Sequence, residues 1–340
     1  MSKRIICIAL VIITLLTLCS CDKNQVYVKQ DTIKLNYNNI TTGGCLSITN
    51  DVVCFVKHNF GFDLYVIDTK GKHKITTLSY SYGTHVYNDK LFYYDDGISS
   101  GFEFFEYDLV TQKSKKIATI SVERIYNYYV VDDVIYVEIG DNDTLVKDVV
   151  MISPDTGKQK TVANEVFACG IVEGKLNFIT KKDNEYSIYG YSIESEQINL
   201  LGRFELEAEI YEEYSCYVNF NSKYITLVSK DEMNKESEIH IYKYENSSLI
   251  SYNFKGAIRE LIAYDKYAFL RADGKADASV STEIIYRFNI YNLTIEKIAE
   301  LSGYNELFVG SDDEVYVSST DFDGIRRYSV DGKYEDVIIN

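Results

Sequence analysis

The sequence predicts an all-β fold built from repeated units of four strands, and three observations support this. The chain of 340 residues has 31 Tyr and 16 Phe but a single proline, Pro154, and no Trp. Aromatic residues favour short, twisted strands, and little in the pattern favours helices. A short phrase of strand, turn and strand recurs along the chain, and its copies are spaced by roughly 40 to 50 residues.

The recurring phrase consists of an aromatic or aliphatic strand, a turn opened by Asp, Asn, Glu or Ser, and a second strand. Its turn-opening residues are Asp68, Asp108, Ser153, Ser192, Glu245, Asn292 and Ser329. The intervals between them are 40, 45, 39, 53, 47 and 37 residues, which is the period of a four-stranded propeller blade. We therefore expect a β-propeller with seven blades. Six or eight blades, or two domains of long hairpin sheets, are the alternatives.

A second hairpin precedes the phrase and supplies the other two strands of each unit. Thr84–Asn88 and Leu91–Tyr94 flank a tight turn around Asp89. Similar pairs of segments are Tyr128–Val131 with Val134–Val137, Gly170–Val172 with Leu176–Ile179, and Leu307–Gly310 with Val315–Val317. One such sheet cannot bury both of its faces alone. We therefore expect the units, with strands lettered A to D, to stack around a ring over residues 44–340.

The N-terminal residues combine a basic start, an apolar run and two cysteines. Two basic residues precede an apolar run, Ile5–Leu18, which is shorter than the roughly 20 residues that cross a bilayer. The run ends in Leu18-Cys19-Ser20-Cys21, which resembles the lipobox of bacterial lipoproteins. The resemblance implies a lipid on Cys21, because the residue before it is small, whereas bulky Leu18 precedes Cys19. An ordinary secretory signal with incidental cysteines is the alternative.

The motif divides the chain into three parts. Residues 1–20 form the expected signal peptide, residues 21–43 carry the lipidated Cys21 and a tether or extra strand, and residues 44–340 form the propeller. Acyl chains contribute about 0.8 kcal/mol per buried methylene, so two or three chains give stable attachment. We expect the protein on a bacterial membrane, lipid-anchored and facing outside the cytoplasm.

The charge of the chain limits its partners. The 35 basic and 51 acidic residues give a net charge of −16. Loss of residues 1–20 removes two bases and no acid, which leaves 33 bases against 51 acids, a charge of −18. Nucleic acid is disfavoured as a partner because its affinity depends on Lys and Arg. The acidic charge mainly serves to keep a surface protein in solution, and it also favours cationic ligands or metal ions over anionic polymers. We expect a monomer whose partners are the membrane, through the lipid, and an envelope protein, a peptide or a small solute.

One copy of the phrase resembles the repeat of TolB-like and related bacterial β-propellers. It runs over Phe62–Lys72 and on to Leu78, with a strand that ends in Asp68 before a Gly-Lys turn. The Ser-Pro-Asp-Gly sequence of those repeats is present once, in the stretched form Ser153–Gly157. The tryptophan motifs of WD40 repeats and quinone-dependent propeller enzymes are absent. The resemblance covers half of each blade and implies the fold rather than an activity.

The cysteines after Cys21 predict free thiols rather than a disulfide or a metal site. They are Cys45, Cys54, Cys169 and Cys216. In the first hairpin Cys54 should face Ser47 and lie diagonal to Cys45, about 7–8 Å away, which is farther than a disulfide prefers. The cysteines and the four histidines show no zinc-binding spacing. The sequence therefore predicts no metal and no cofactor.

Loop lengths predict which face of the disc carries a site. The A-to-B and C-to-D turns are short, whereas the B-to-C connections at residues 95–101, 140–144, 230–237 and 271–282 are long and polar. Elaborated loops on a rigid scaffold usually carry function. We therefore place ligand binding on that face, at His58, Tyr82, His85, Asp95 and Asp96. A histidine beside carboxylates binds ligands or transfers protons, and solvated surface histidines are the competing explanation.

Two classes of function fit this architecture. One is a membrane-anchored binding or protein-interaction module, which needs only a concave polar and aromatic surface. The other is an extracytoplasmic hydrolase or lyase, which needs convergent acids and a base around a pocket in the central funnel. The chain has four histidines and no catalytic motif. The sequence therefore favours binding and assigns no catalytic residue.

Overall fold

The structure, a computed structural model, describes residues 46–48, 53–58, 62–68, 71–79, 83–96, 101–141, 147–208, 210, 218–231, 236–274, 282–302, 305–311, 314–319 and 324–339. Within these ranges every regular element is a β-strand, which confirms the all-β prediction. No helix in this part of the chain is long and apolar enough to span a bilayer. The expected signal peptide, Cys21 and the segment to residue 43 lie outside the described residues.

In the described residues the strands form seven antiparallel sheets of four consecutive strands each, which we number as blades 1 to 7 in chain order. Blades 1 and 2 comprise β1 (Leu46–Ile48), β2 (Val53–His58), β3 (Phe62–Asp68), β4 (Gly71–Leu78), β5 (Thr84–Tyr87), β6 (Lys90–Asp96), β7 (Phe102–Asp108) and β8 (Lys113–Ile120). Blades 3 and 4 comprise β9 (Arg124–Val131), β10 (Val134–Gly140), β11 (Lys147–Ile152), β12 (Gln159–Val166), β13 (Ala168–Val172), β14 (Lys175–Lys182), β15 (Glu185–Ser192) and β16 (Gln197–Glu205).

The remaining three blades repeat this order. Blades 5 and 6 comprise β17 (Val218–Phe220), β18 (Tyr224–Asp231), β19 (Glu236–Lys243), β20 (Ser248–Phe254), β21 (Ile258–Tyr264), β22 (Tyr267–Asp273), β23 (Thr282–Asn289) and β24 (Thr294–Ser302). Blade 7 comprises β25 (Asn305–Ser311), β26 (Glu314–Ser319), β27 (Gly324–Ser329) and β28 (Tyr334–Ile339).

The first strand of each blade lies at the centre of the molecule. Each A strand contacts the A strand of the next blade, from β1 through β5, β9, β13, β17 and β21 to β25, and each D strand ends its sheet. The blades therefore radiate as a ring, and the fold is a β-propeller. The hydrophobic core lies between neighbouring blades. Tyr129 and Val149 of blade 3, for example, pack with Ile171 and Leu176 of blade 4.

The turns between A and B strands follow from local sequence. Asp132 and Asp133 have φ angles of 48° and 57°, and Glu173 and Gly174 have 49° and 75°. Two successive residues with positive φ are typical of type I′ hairpins, whose twist matches that of the strands they join. The continuous apolar run Leu91–Tyr94 of β6 is buried throughout, because a blade inside the ring is covered on both faces.

The predicted hairpins are confirmed in the described residues. Ser47 pairs with Cys54 as expected, and Cys54 and Cys169 are buried free thiols, whereas Cys45 and Cys216 lie outside the described residues. The turn in blade 6 differs in one detail. It is opened by Asn289 rather than Asn292, because the Oδ1 of Asn289 accepts hydrogen bonds from backbone N–H groups two and three residues later.

Side chains of one blade bind the inner-strand backbone of the next. The Tyr129 hydroxyl lies 2.8 Å from the carbonyl oxygen of Cys169, and the Asn219 amide nitrogen donates to the carbonyl oxygen of Leu261 at 2.6 Å. An A strand has no fifth strand beside it, and buried backbone groups need partners. These contacts supply such partners, and they connect neighbouring blades at their inner strands.

Candidate functional site

The two faces of the propeller differ in their connections. The short-turn face carries the A-to-B and C-to-D turns, and the long-connection face carries the B-to-C and D-to-A connections. In blade 2, β6 ends at Asp96 and β7 begins at Phe102, and in blade 6, β22 ends at Asp273 and β23 begins at Thr282. The B-to-C connections predicted in blades 2, 3, 5 and 6 do join the second and third strands of these blades. Blade 4 has a two-residue turn there instead.

His85 does not lie on the surface, contrary to the expectation. It is the second residue of β5, and its side chain is 2% exposed. Its Nε2–H donates to the carbonyl oxygen of Tyr128 at 2.9 Å, and the two rings pack with centroids 4.7 Å apart. Burial lowers the pKa of His85 to about 3, so the imidazole is neutral at neutral pH. The physical reason is that A-strand side chains enter the interface between blades rather than the solvent.

Asp95 and Asp96 end β6 on the long-connection face, as predicted. The Oδ1 of Asp95 accepts hydrogen bonds from the backbone nitrogen of Ser79 at 2.7 Å and of Asp96 at 2.9 Å. Asp95 therefore ties the D-to-A connection of blade 1 to blade 2, while Asp96 is exposed. His58 is the last residue of β2 at the same face, although its side chain, like all of Tyr82, lies outside the described residues.

A buried ion pair lies at the long-connection end of blade 3, and the sequence analysis missed it. The Nζ of Lys147 in β11 is 3.2 Å from the Oε2 of Glu138 in β10, and the two side chains are 2% and 0% exposed. The Tyr129 hydroxyl lies 3.0 Å from the Oε1 of Glu138 and accepts a hydrogen bond from Asn127 at 3.0 Å. The Lys147 ammonium also lies 4.9 Å from the ring centroid of Tyr126.

This cluster holds its neighbours in their protonated forms. Burial raises the pKa of the Cys169 thiol well above its ordinary value, and the charge of Glu138 acts in the same direction. Burial likewise raises the pKa of Tyr129, again with a contribution from Glu138. A protonated, buried thiol is inert as a nucleophile. The cluster therefore joins blades 3 and 4 and supplies no reactive group.

A second charged network lies at the same end of blade 6. The Nε of Arg271 in β22 is 2.9 Å from the Oε2 of Glu260 in β21, and its Nη1 is 2.6 Å from the Oε1 of Glu283 in β23. The Oε2 of Glu260 also accepts a hydrogen bond from the backbone nitrogen of Leu307 in β25. Burial alone would lower the pKa of Arg271, but the two carboxylates outweigh it and raise the pKa. The network ties blade 6 to blade 7.

A third polar group lies inside blade 5. The Nε2 of His240 in β19 is 2.7 Å from the Oγ of Ser229 in β18, and its Nδ1 is 2.8 Å from the Oγ of Ser251 in β20. Burial lowers the pKa of His240, although the nearby carboxylate of Glu238 opposes the shift. A neutral imidazole donates at one nitrogen and accepts at the other. The two serines therefore satisfy both nitrogens within the sheet.

The charges of these two networks share a sequence signal that strand alternation reveals. Glu138 follows the buried Tyr136 by two residues, and Arg271 follows the buried Phe269 by two. Residues two apart in a strand share a face, so each charge lies on the same face of its strand as a buried aromatic ring. Within the described ranges, no group of three or more His, Cys, Asp or Glu is placed to hold a metal ion.

Comparison with known proteins shows the fold. No protein-family model and no curated protein matches the chain. The tricorn protease is similar with a TM-score of 0.57 and 14% identity over 84% of this chain and 33% of the other. An oligogalacturonate lyase in complex with manganese is similar with a TM-score of 0.57 and 12% sequence identity, and the match covers 82% of this chain and 86% of the lyase chain. The β-propeller domain of the Trilobed protease from Pyrococcus furiosus is similar with a TM-score of 0.57 and 11% sequence identity, and the match covers 87% of this chain and 96% of that domain's chain.

These similarities show the β-propeller fold alone. The chain spans 33% of the tricorn protease chain, and identities this low carry the fold rather than an activity. The Pyrococcus furiosus domain is described as having an open velcro topology. In the described part of this chain each sheet consists of four consecutive strands.

Proposed function

We propose that the protein is a bacterial lipoprotein, anchored to a membrane by a lipid on Cys21 and facing outside the cytoplasm. The proposal rests on the basic start, the apolar run Ile5–Leu18 and the motif Leu18-Cys19-Ser20-Cys21. Residues 1–20 are the signal peptide in this proposal, and residues 21–43 link the lipid to the propeller as a tether or an extra strand.

We further propose that the propeller is a binding module whose long-connection face contacts an envelope protein, a peptide or a small solute. The main observation behind this proposal is that two charged networks stabilise the strand ends at that face. The Glu138–Lys147 pair and the Arg271 network hold the long-connection ends of blades 3 and 6, so loops on this face extend from a rigid support. The charge of −16 favours a cationic ligand and disfavours nucleic acid.

The alternative is a propeller hydrolase or lyase with its site in the central funnel, and a specific observation favours it. The similar structures include a lyase and proteases. Against it, the described histidines His85 and His240 are buried, have lowered pKa values and are hydrogen-bonded to other parts of the scaffold. Acid–base chemistry needs a group that exchanges protons with substrate, so we favour binding.

We also propose that all seven sheets are blades of one ring. The A strands make an unbroken series of contacts from blade 1 to blade 7. We favour seven because each sheet has the same four-strand order and because each inner strand from β1 to β25 contacts the next.

The two ends of β6 provide a matched test of the binding face. Asp96 is exposed at the long-connection end, and Asp89 is exposed in the turn at the short-turn end. We expect Asp96→Lys to weaken capture of an envelope partner about tenfold, because a reversed charge meets a surface that complements the original one. Asp89→Lys should leave capture unchanged. Capture from envelope extract, quantified for both variants of the full chain, provides the measurement. Loss of capture in Asp89→Lys alone would place the binding site on the short-turn face and would contradict this proposal.

A further inference from the structure

The outer strand of blade 5 differs from the other outer strands of the ring. Six of the seven D strands pair irregularly with their C strands, as a bulge produces: β4, β8, β12, β16, β24 and β28. The exception is β20, which pairs with β19 in unbroken register from Ser248 to Phe254. A regular edge of seven residues is thus present in blade 5.

Among the seven outer strands that the structure describes, β20 is also the one without a charged residue. Each of the other six D strands carries charged residues, such as the lysines of β8 or Glu296 and Lys297 of β24. The sequence of β20 is Ser-Leu-Ile-Ser-Tyr-Asn-Phe. Bulges and charges are the devices by which proteins keep exposed sheet edges from pairing with another strand. Strand β20 has neither, and no strand of the described residues pairs with its outer edge.

The residues that flank β20 identify the kind of strand that fits. Glu245, in the turn before β20, and Lys255, directly after it, are both exposed. Each lies five residues from Ile250. When two copies of this segment pair antiparallel, the turn end of each copy, which carries Glu245, lies beside the far end of the other copy, which carries Lys255. The edge is therefore self-complementary in charge as well as neutral along its length.

We propose that two copies of this chain associate through β20, antiparallel about Ile250, and join their fifth blades into one eight-stranded sheet. Elsewhere on the circumference a chain of net charge −16 repels its own copy. Along β20 the backbone groups pair without burying a charge, and antiparallel strands gain hydrogen bonds and cross-strand contacts. The sequence alone predicts a monomer, and this edge is the observation that favours a dimer. The inference is independent of any ligand of the long-connection face.

Charge reversal at the two ends of the strand tests this dimer. The full chain, extracted in a mild detergent, is examined by sedimentation velocity over a concentration series. We expect the unmodified protein to form a dimer. Glu245→Lys and Lys255→Glu should each weaken association about tenfold at low salt, because each reversal turns two symmetric attractions into repulsions. The double variant, Glu245→Lys with Lys255→Glu, should restore association.

A matched control comes from the neighbouring blade. Glu194 is exposed in the C-to-D turn of blade 4, which corresponds to the turn that contains Glu245. We expect Glu194→Lys to leave the dimer unchanged. A chain that stays monomeric at every concentration overturns the proposal. So does a dimer that both single reversals leave intact, because its interface then lies elsewhere.

Discussion

Lys147→Ala is expected to lower the free energy of unfolding by about 3–5 kcal/mol, because it leaves a buried carboxylate without its partner. Glu138 is 0% exposed, and the Lys147 ammonium lies 3.2 Å from it. The remaining neighbours of the carboxylate do not replace a positive charge, since the Tyr129 hydroxyl is neutral. Urea denaturation of the full chain, followed by circular dichroism, measures the loss as a shift of the transition midpoint.

Two further variants separate the buried charge from lost packing. Lys160 pairs with Glu196 at 2.6 Å on the surface, with side chains 45% and 63% exposed. Lys160→Ala should cost no more than about 0.5 kcal/mol. Replacing the buried pair as a whole, by Glu138→Leu with Lys147→Met, should recover most of the stability because no charge remains unpaired. Equal costs for Lys147→Ala and Lys160→Ala would show that the buried pair does not brace blade 3.

Acid is expected to destabilise the protein through His85 as the pH falls below 6.5. Burial lowers the pKa of His85 from 6.5 to about 3 in the folded protein. Between these values the unfolded chain binds a proton that the folded chain does not. The stability is therefore fully present above pH 6.5 and decreases by about 1.4 kcal/mol per pH unit on the way to pH 3. The total for this one group is about 5 kcal/mol.

His85→Asn tests this assignment because an amide retains a donor for the Tyr128 carbonyl but does not titrate. Chemical denaturation at a series of pH values between 7 and 4 should show a shallower loss of stability in the variant. His240 also has a lowered pKa and lies in a different blade, so His240→Asn should reduce the slope independently. An unchanged slope in His85→Asn would contradict the buried, neutral state of this residue.

The architecture was predictable from sequence because its determinants are local. The period of the phrase, the turn at Asn88 and the register that places Ser47 opposite Cys54 all depend on residues close together in the chain. The state of His85 was not predictable in this way. Its strand position was correct, but its burial depends on how blade 3 packs against blade 2, which brings Tyr128 to its ring.

The charged networks were missed for a related reason. Glu138 and Lys147 are nine residues apart, and each alone reads as an ordinary polar residue near a strand end. Only their shared face within blade 3, covered by blade 4, makes them a buried pair. Strand alternation places Glu138 on the same face as the buried Tyr136. This pattern indicates a buried charge only once the blades are known to pack against each other.

Membrane fractionation of a Cys21→Ala variant tests the proposed anchor most directly. In cells grown with a labelled fatty acid, the unmodified protein should appear in the membrane fraction and carry the label. The variant should carry no label and should either leave the membrane or accumulate as an uncleaved precursor, because Cys21 is the proposed lipid acceptor at the end of Leu18-Cys19-Ser20-Cys21. An unlabelled wild type, with Cys21→Ala retained on the membrane to the same extent, would contradict the lipid anchor.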